Sequence, residues 1–162
     1  MEYILKKNFM NTKDFENLQS LLMGHDFNWF HQSRVSHLMG DQNKAFYFVH
    51  TFFERNKINS AFFSHLQPLL GRFTIKELLR IKANLYPNPG EILEHDYHED
   101  YTFPHHGIIF SINTNNGFTL LEGGEKIPSV ANQMVSFDTS LPHASTTCSD
   151  EHVRVNLVVN YL

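Results

Sequence analysis

The segment from Val153 to Tyr161 alternates with a period of two residues, which is the pattern of a β-strand whose two faces meet different surroundings. Its apolar face is built from Val153, Val155, Leu157, Val159 and Tyr161. Its other face carries Arg154, Asn156, Val158 and Asn160. A chain with such a strand is expected to form a sheet that packs on one side and accommodates polar groups on the other.

Arg154 is the residue on this strand that most needs an explanation. If the apolar face packs outward, the Arg154 side chain points into the interior of a barrel. A guanidinium buried there needs an anion to offset its desolvation, and a carboxylate matches its forked donor geometry best. The pattern therefore favours an interior carboxylate-binding site, with a structural salt bridge or a solvated edge arginine as the alternatives.

The two-residue period begins after Thr74, and it places Asn84 and Tyr86 on one face of a strand over 80–86. Asn115-Asn116-Gly117 and Gly123-Gly124 lie between apolar runs and predict hairpin turns. Further strands are predicted over Ile92–Asp100, Gly107–Thr114, Phe118–Glu122, Lys126–Val130, Met134–Asp138, His143–Cys148 and Val153–Leu162. About eight strands in this part of the chain favour a jelly roll or a small barrel.

The first 73 residues have a mixed and partly helical pattern. Asn11 or Thr12 caps a predicted helix that ends at Gly24 and has Phe15, Leu18, Leu21 and Leu22 on one face. We predict a polar loop over 26–44, a strand or buried segment over 45–53 and a second short helix over 59–70. The chain is thus expected to be a single domain, 1–162, that is mainly β with flanking helices. In it, a helical or mixed part, 1–73, packs on one sheet of a jelly-roll core, 74–162.

Composition excludes several classes of protein. Of the 162 residues, 41% are apolar and 19% are charged, which is typical of a folded domain. The single cysteine, Cys148, excludes an intramolecular disulfide and a cysteine-based zinc cluster. A formal net charge of -4 gives no sign of a nucleic-acid partner, and no apolar run approaches the ~20 residues of a membrane helix. Without a secretory pattern at its start, the protein is expected to be cytoplasmic, and its oligomeric state is left open.

One of the eleven histidines begins the pattern His98-Glu99-Asp100. Residues two apart on a strand point the same way, so the His98 imidazole and the Asp100 carboxylate can bind one divalent metal ion. His143 lies 45 residues further on, at the head of a predicted strand, and is the candidate third ligand. Two histidines and one carboxylate form the facial triad of non-haem Fe(II) oxygenases. His95 is an alternative to His98, and zinc is an alternative to iron.

The order His98-x-Asp100, then His143, then Arg154 resembles the 2-oxoglutarate- and Fe(II)-dependent oxygenases, in their prolyl-4-hydroxylase-like branch. The resemblance covers half of the chain, from about Arg80 to Leu162. Within it, the segment Asn116-Gly117-Phe118-Thr119 resembles the glycine-then-threonine hairpin of that core.

This resemblance implies a double-stranded β-helix in which His98, Asp100 and His143 hold Fe(II) and carry the catalysis. It implies that 2-oxoglutarate binds the iron and pairs its far carboxylate with Arg154. Asn84 and Tyr86 are then expected to contact the same cosubstrate. With O2, the expected products are succinate, CO2 and a hydroxylated small molecule or peptide.

Two other functions fit the same residues. A cupin-like metal-binding jelly roll that does not use 2-oxoglutarate would keep the histidines but would have no use for Arg154. In a non-catalytic β-domain, His98 and Asp100 would be surface residues. If Arg154 does not bind the cosubstrate, Arg80 and Lys82 are the next candidates.

Overall fold

The computed structural model describes residues 1–33 and 46–162, and antiparallel strands predominate in these ranges. The strands are β1 (Tyr3–Lys6), β2 (Phe30–Gln32), β3 (Tyr47–Glu54), β4 (Lys57–Ile58), β5 (Leu78–Pro87), β6 (His106–Ser111), β7 (Asn115–Leu121), β8 (Lys126–Ser129), β9 (Gln133–Asp138), β10 (His143–Ser145) and β11 (Val153–Tyr161). The helices are α1 (Thr12–Leu22), α2 (Gln67–Leu70) and a 3-10 turn, Phe63–Leu66. The prediction of a mainly β fold is confirmed. None of these helices is long and apolar enough to cross a lipid bilayer.

The strands form two antiparallel sheets. The larger sheet has the order β1-β9-β6-β11-β5-β3-β2, with β4 paired to β3. The smaller sheet has the order β10-β7-β8. A cavity lined by residues of both sheets lies between them, which is the layout of a jelly roll.

The outer face of the larger sheet packs against α1. The helix is capped by the Asn11 side chain and buries Phe15, Leu18 and Leu22. These three residues share one apolar core with residues of β5, β6 and β11. Phe15, for example, meets Phe110 of β6 edge to face, with 6.0 Å between the ring centroids.

β11 has the two faces that its alternation predicts. Val155, Leu157 and Val159 belong to the outer core, and Val158 belongs to a second core between the two sheets. Arg154 therefore points inward, as expected for a strand whose apolar face packs on a helix layer.

Of the two predicted turns, one is confirmed and one is wrong. Gly123 and Gly124 form a turn with φ of +100° and +87°, a region that favours glycine. Residues 115–117 instead begin β7, because side chains accept hydrogen bonds from their backbone N–H groups. The Asn115 side chain accepts a hydrogen bond from the Gly117 N–H (3.0 Å), and the Asn116 N–H donates to Asp150 (2.9 Å).

Two predictions in the first 73 residues are wrong in detail. The helix expected over 59–70 is only the 3-10 turn and the short α2, in which Pro68 occupies the first turn. The loop expected over 26–44 contains β2, and its residues from 34 onward lie outside the described ranges.

The strand predicted over Ile92–Asp100 is extended but is not a continuous strand. It contributes isolated bridges between Glu94 and Thr146 and between His98 and His143. Between these two bridges, three residues (95–97) face two (144 and 145), so the pairing of this segment is irregular.

Asn132 connects the turn before β9 to Met10, just before α1, through two hydrogen bonds, so its replacement is expected to lower stability. Its φ is +59°, and its buried side chain accepts from the Met10 N–H (2.8 Å) and donates to the Met10 carbonyl (2.9 Å). Asn132→Ala removes both bonds and strains the backbone, so we expect the free energy of unfolding in urea to fall by about 2–4 kcal/mol.

Asn132→Gly is the matched control, because it removes the same hydrogen bonds without the strain of a β-carbon at positive φ. It should be about 1 kcal/mol more stable than Asn132→Ala. A loss below about 0.5 kcal/mol in both variants would contradict the role of these bonds.

Candidate active site

His98, Asp100 and His143 line the cavity together, as the sequence predicts for a metal site. One ligand atom of each residue lies within 4.8 Å of the other two. The Nε2 atom of His143 is 4.0 Å from Oδ2 of Asp100, and the two imidazole centroids are 4.6 Å apart. Two nitrogen donors and one carboxylate oxygen are the donor set of a facial triad.

Backbone pairing brings the two histidines together across 45 residues of sequence. The His98 N–H donates to the His143 carbonyl (2.8 Å), and the His143 N–H donates back (3.0 Å). The Asp100 N–H donates to the Thr139 carbonyl (2.9 Å), which holds the third ligand beside them. Both histidines therefore project from one directly opposed pair of residues.

Both imidazoles are arranged to bind a metal through Nε2. Nδ1 of His143 lies 3.0 Å from the Leu141 carbonyl, and Nδ1 of His98 lies 3.5 Å from the Asp96 carbonyl. When Nδ1–H donates to these carbonyls, Nε2 keeps its lone pair. Burial lowers the pKa of His143 and, together with the nearby His143 ring, lowers the pKa of His98 to about 4. Both rings are thus neutral at pH 7.

Asp100 is held as a carboxylate. Arg80 Nη2 is 2.6 Å from Oδ1, and Asn160 Nδ2 donates to Oδ2 at 2.9 Å. Burial would raise the pKa of this carboxyl, but the charges of Lys82 and Arg80 hold the pKa well below its usual range. Asn160 is fixed in turn by Thr139 Oγ1 at 3.1 Å.

The two residues predicted to contact the cosubstrate, Asn84 and Tyr86, both line the cavity on the inner face of β5. The cavity encloses about 450 Å³, part of which is open to solvent. Tyr86 stacks on Tyr47, with 5.6 Å between centroids. Asn84 Nδ2 donates to Asn156 Oδ1 (3.0 Å), and the buried Oδ1 of Asn84 has no hydrogen-bond partner.

Arg154 is fully buried and stands opposite Tyr86 in the pairing of β11 with β5. Nε donates to Ser129 Oγ (2.7 Å), Nη1 to the Thr146 carbonyl (2.9 Å) and Nη2 to Thr119 Oγ1 (3.1 Å). Thr119 lines the cavity, and Arg154 lies directly behind it. Among the described residues, no carboxylate forms an ion pair with this guanidinium.

The glycine and threonine singled out in the sequence lie in β7 and support Arg154. A β-carbon on Gly117 would lie 2.8 Å from Cδ of Arg154 and 2.6 Å from the Thr147 carbonyl oxygen. The absence of that atom leaves room for the arginine side chain, and Thr119 accepts one of its hydrogen bonds.

One residue, Lys82, has a more central place in the site than its sequence pattern indicates. Lys82 was only a fallback for binding the cosubstrate, yet it lines the cavity beside the triad. The alternation on β5 was the signal for this, because it places Lys82 on the face of Asn84 and Tyr86. His95, the alternative ligand, lies outside the three-residue cluster and contacts Ser145 Oγ through Nδ1 (2.8 Å).

Comparison with solved structures identifies the fold. A 2-oxoglutarate-Fe(II) oxygenase family protein from Burkholderia pseudomallei aligns with a TM-score of 0.71 at 10% identity, over 98% of this chain and 84% of that one. The viral collagen prolyl hydroxylase of Paramecium Bursaria Chlorella virus-1, in complex with 2-oxoglutarate, aligns at 0.59 and 11% identity, over 100% and 97%. The epimerase SnoN, in complex with Fe3+, α-ketoglutarate and nogalamycin RO, aligns at 0.64 and 9% identity, over 99% and 78%.

The chain therefore has the fold of the 2-oxoglutarate/Fe(II) oxygenases, prolyl hydroxylases included, and the predicted resemblance is confirmed at this level. No protein-family model matches the sequence, and comparison with curated proteins finds no similar one. At such low identities, what the site does has to be argued from its own residues.

The buried histidines predict how the stability of the metal-free protein depends on pH. Burial lowers the pKa of four histidines: His50, His95, His98 and His143. The pKa of His95 and that of His98 fall to about 4. Each imidazole then binds a proton more readily in the unfolded chain, so acid favours unfolding. We expect the free energy of unfolding in urea to fall as the pH decreases from about 6.5 to about 4. In His95→Gln, the free energy of unfolding should fall less steeply with decreasing pH. A pH dependence equal to that of the wild type would contradict the lowered pKa of His95.

Removal of a single ligand tests the metal site. We expect His98→Ala, His143→Ala and Asp100→Asn each to lower Fe(II) affinity about tenfold or more, because each removes one of three donors. Anaerobic titration followed by plasma spectrometry measures the iron, and circular dichroism checks the fold. His31→Ala, an exposed histidine on β2, is the control and should bind iron like the wild type. Full occupancy in a ligand variant would remove that residue from the site.

Proposed function

We propose that this chain is a 2-oxoglutarate- and Fe(II)-dependent dioxygenase that hydroxylates a small-molecule or peptide substrate. The observation that carries the proposal is a single cavity that joins three metal-binding side chains to Thr119, which bonds a buried arginine without a carboxylate partner. A metal site alone would not need that arginine.

The donor set fits Fe(II), because two neutral imidazoles and one carboxylate can hold the ion and leave coordination positions open. Bound Fe(II) would supply O2 activation, in which one oxygen atom enters succinate as 2-oxoglutarate loses CO2 and the other enters the substrate. The residues of this chain would position both reactants, and they keep the Asp100 carboxylate ionised and the two imidazoles neutral.

The inner face of β5 is long enough to separate two sites for the carboxylates of 2-oxoglutarate. Lys82 and Tyr86 are four residues apart on β5, so the lined face extends over about 13 Å. One carboxylate of the cosubstrate would bind at the triad, and the other would reach towards Arg154. Three of the five guanidinium N–H groups bond Ser129, Thr146 and Thr119, which leaves two for an incoming carboxylate.

The surrounding side chains have supporting roles in this proposal. Arg80 and Asn160 fix the Asp100 carboxylate, so that it presents one orientation to the metal. Ile109 and Val158 line the cavity with apolar surface, which limits water around the reactants.

Arg154 gives the test that separates this proposal from a metal-binding jelly roll. We expect Arg154→Ala to raise the KM for 2-oxoglutarate about 100-fold, since it removes a charge-assisted, two-pronged contact. Arg154→Lys should recover part of the loss, because lysine keeps the charge but not the fork. The readout is succinate formation against 2-oxoglutarate concentration, with iron content measured in parallel.

Iron occupancy should stay at the wild-type level in both variants, because Arg154 is not a metal ligand. Thr119→Val is a milder control: it removes one hydrogen bond to the guanidinium and leaves the charge in place. Unchanged KM in a folded, iron-loaded Arg154→Ala protein would sink the cosubstrate assignment.

A further inference from the structure

Lys82 is the cation in the cavity that neither the metal nor the cosubstrate accounts for. It lines the cavity together with the triad and forms no ion pair among the described residues. The Asp100 carboxylate already bonds Arg80 through one oxygen and Asn160 through the other. Glu54, on β3, is the other carboxylate whose charge reaches Lys82, and it is not a lining residue.

The strand register separates Lys82 from the arginine that is assigned to the cosubstrate. Lys82 stands opposite Val158, whereas Tyr86 stands opposite Arg154, about 13 Å further along β5. 2-Oxoglutarate has two carboxylates, and the proposed function places one at the metal and one at Arg154. The carboxylate placed at the metal would be bound by the ion itself, so the proposed function assigns neither carboxylate of the cosubstrate to Lys82, which lies at the triad end.

We infer that the substrate carries a carboxylate that binds Lys82 beside the metal site. This inference rests on the proposed function, which uses both carboxylates of the cosubstrate elsewhere. Lys82 is half-buried, and a partly desolvated ammonium group is stabilised by a nearby anion. Asp100 is the lining carboxylate whose charge reaches Lys82, but Arg80 shares it, so these two cations exceed the one carboxylate by one positive charge that an anionic ligand would compensate.

The same charge discriminates against other substrates. With Arg80 and Lys82 on one strand beside the triad, an amine placed near the metal would be repelled. The carboxylate can belong to a free acid or to an acidic side chain of a peptide, because both present the same group to the lysine.

The experiment measures 2-oxoglutarate turnover with matched pairs of added compounds. One arm compares N-acetyl amino acids with their neutral N-acetyl carboxamides, and a second compares capped peptides that contain Asp or Glu with their Asn or Gln counterparts. We expect at least one acid to raise succinate formation about tenfold more than its amide, the effect of one charge-assisted hydrogen bond. The arm that responds identifies the source of the carboxylate.

Lys82→Met should abolish this preference for the acid, and Lys82→Arg should keep part of it. The readout is the ratio of stimulation by acid to stimulation by amide within each variant, with iron content and the KM for 2-oxoglutarate measured in parallel. Lys126→Met is the matched control, because Lys126 is an exposed lysine paired with Glu94 outside the cavity. It should behave like the wild type in every arm.

Three results would overturn the inference while leaving the proposed function intact. They are equal stimulation by acid and amide, no stimulation by any acid, and a KM for 2-oxoglutarate in Lys82→Met that rises as in Arg154→Ala. The last would mean that Lys82 holds the cosubstrate. A wild-type, iron-loaded protein that forms no succinate would instead refute the proposed function itself.

Discussion

The antiparallel register of β5 against β11 is the constraint on which the rest of the site depends. It pairs Arg80 with Asn160, Lys82 with Val158, Asn84 with Asn156, and Tyr86 with Arg154. Seven of these eight side chains are polar or aromatic groups. Those that line the cavity are Lys82, Asn84, Tyr86 and Asn156, whereas Arg80 and Asn160 bond the candidate metal ligand Asp100. A shift of one residue would turn the whole set towards the outer core, so the register has to be specified strongly.

That register is specified by packing on the opposite face. Val155, Leu157 and Val159 of β11 join α1 in the outer core, where their burial offsets part of the cost of a polar interior. The inner face can therefore hold a buried arginine and a buried carboxylate without losing the fold. Arg154 donates hydrogen bonds to Ser129, Thr146 and Thr119, and Asp100 forms an ion pair with Arg80.

Local patterns predicted the parts of this structure that depend on the period of a single segment. The alternation of β11 indicated correctly which way Arg154 points, and the spacing of His98 and Asp100 indicated two ligands on one side. The structure also brings His143 to them, through a backbone pairing that no local pattern encodes. The irregular pairing at 95–97 is likewise not visible in the sequence, because it depends on the residues that face this segment.

Other features failed for identifiable physical reasons. The residues from Asn115 to Gly117 are of types that favour turns. In the structure, side-chain oxygens accept hydrogen bonds from the N–H groups of Asn116 and Gly117 at the start of a strand, so the turn prediction was wrong. The described part of the first 73 residues contributes four strands to the larger sheet, because pairing with β5 and β9 overrides the weak local pattern of this region. The partners of Arg154 are spread over β7, β8 and the segment after β10, and only the assembled fold brings them together.

A crystal structure of the protein grown anaerobically with Fe(II) and 2-oxoglutarate would test the central claim most directly. We expect iron bound to His98, Asp100 and His143, with the far carboxylate of 2-oxoglutarate hydrogen-bonded to Arg154. Iron bound elsewhere, or the far carboxylate bound at Lys82 with Arg154 keeping only its protein partners, would contradict it.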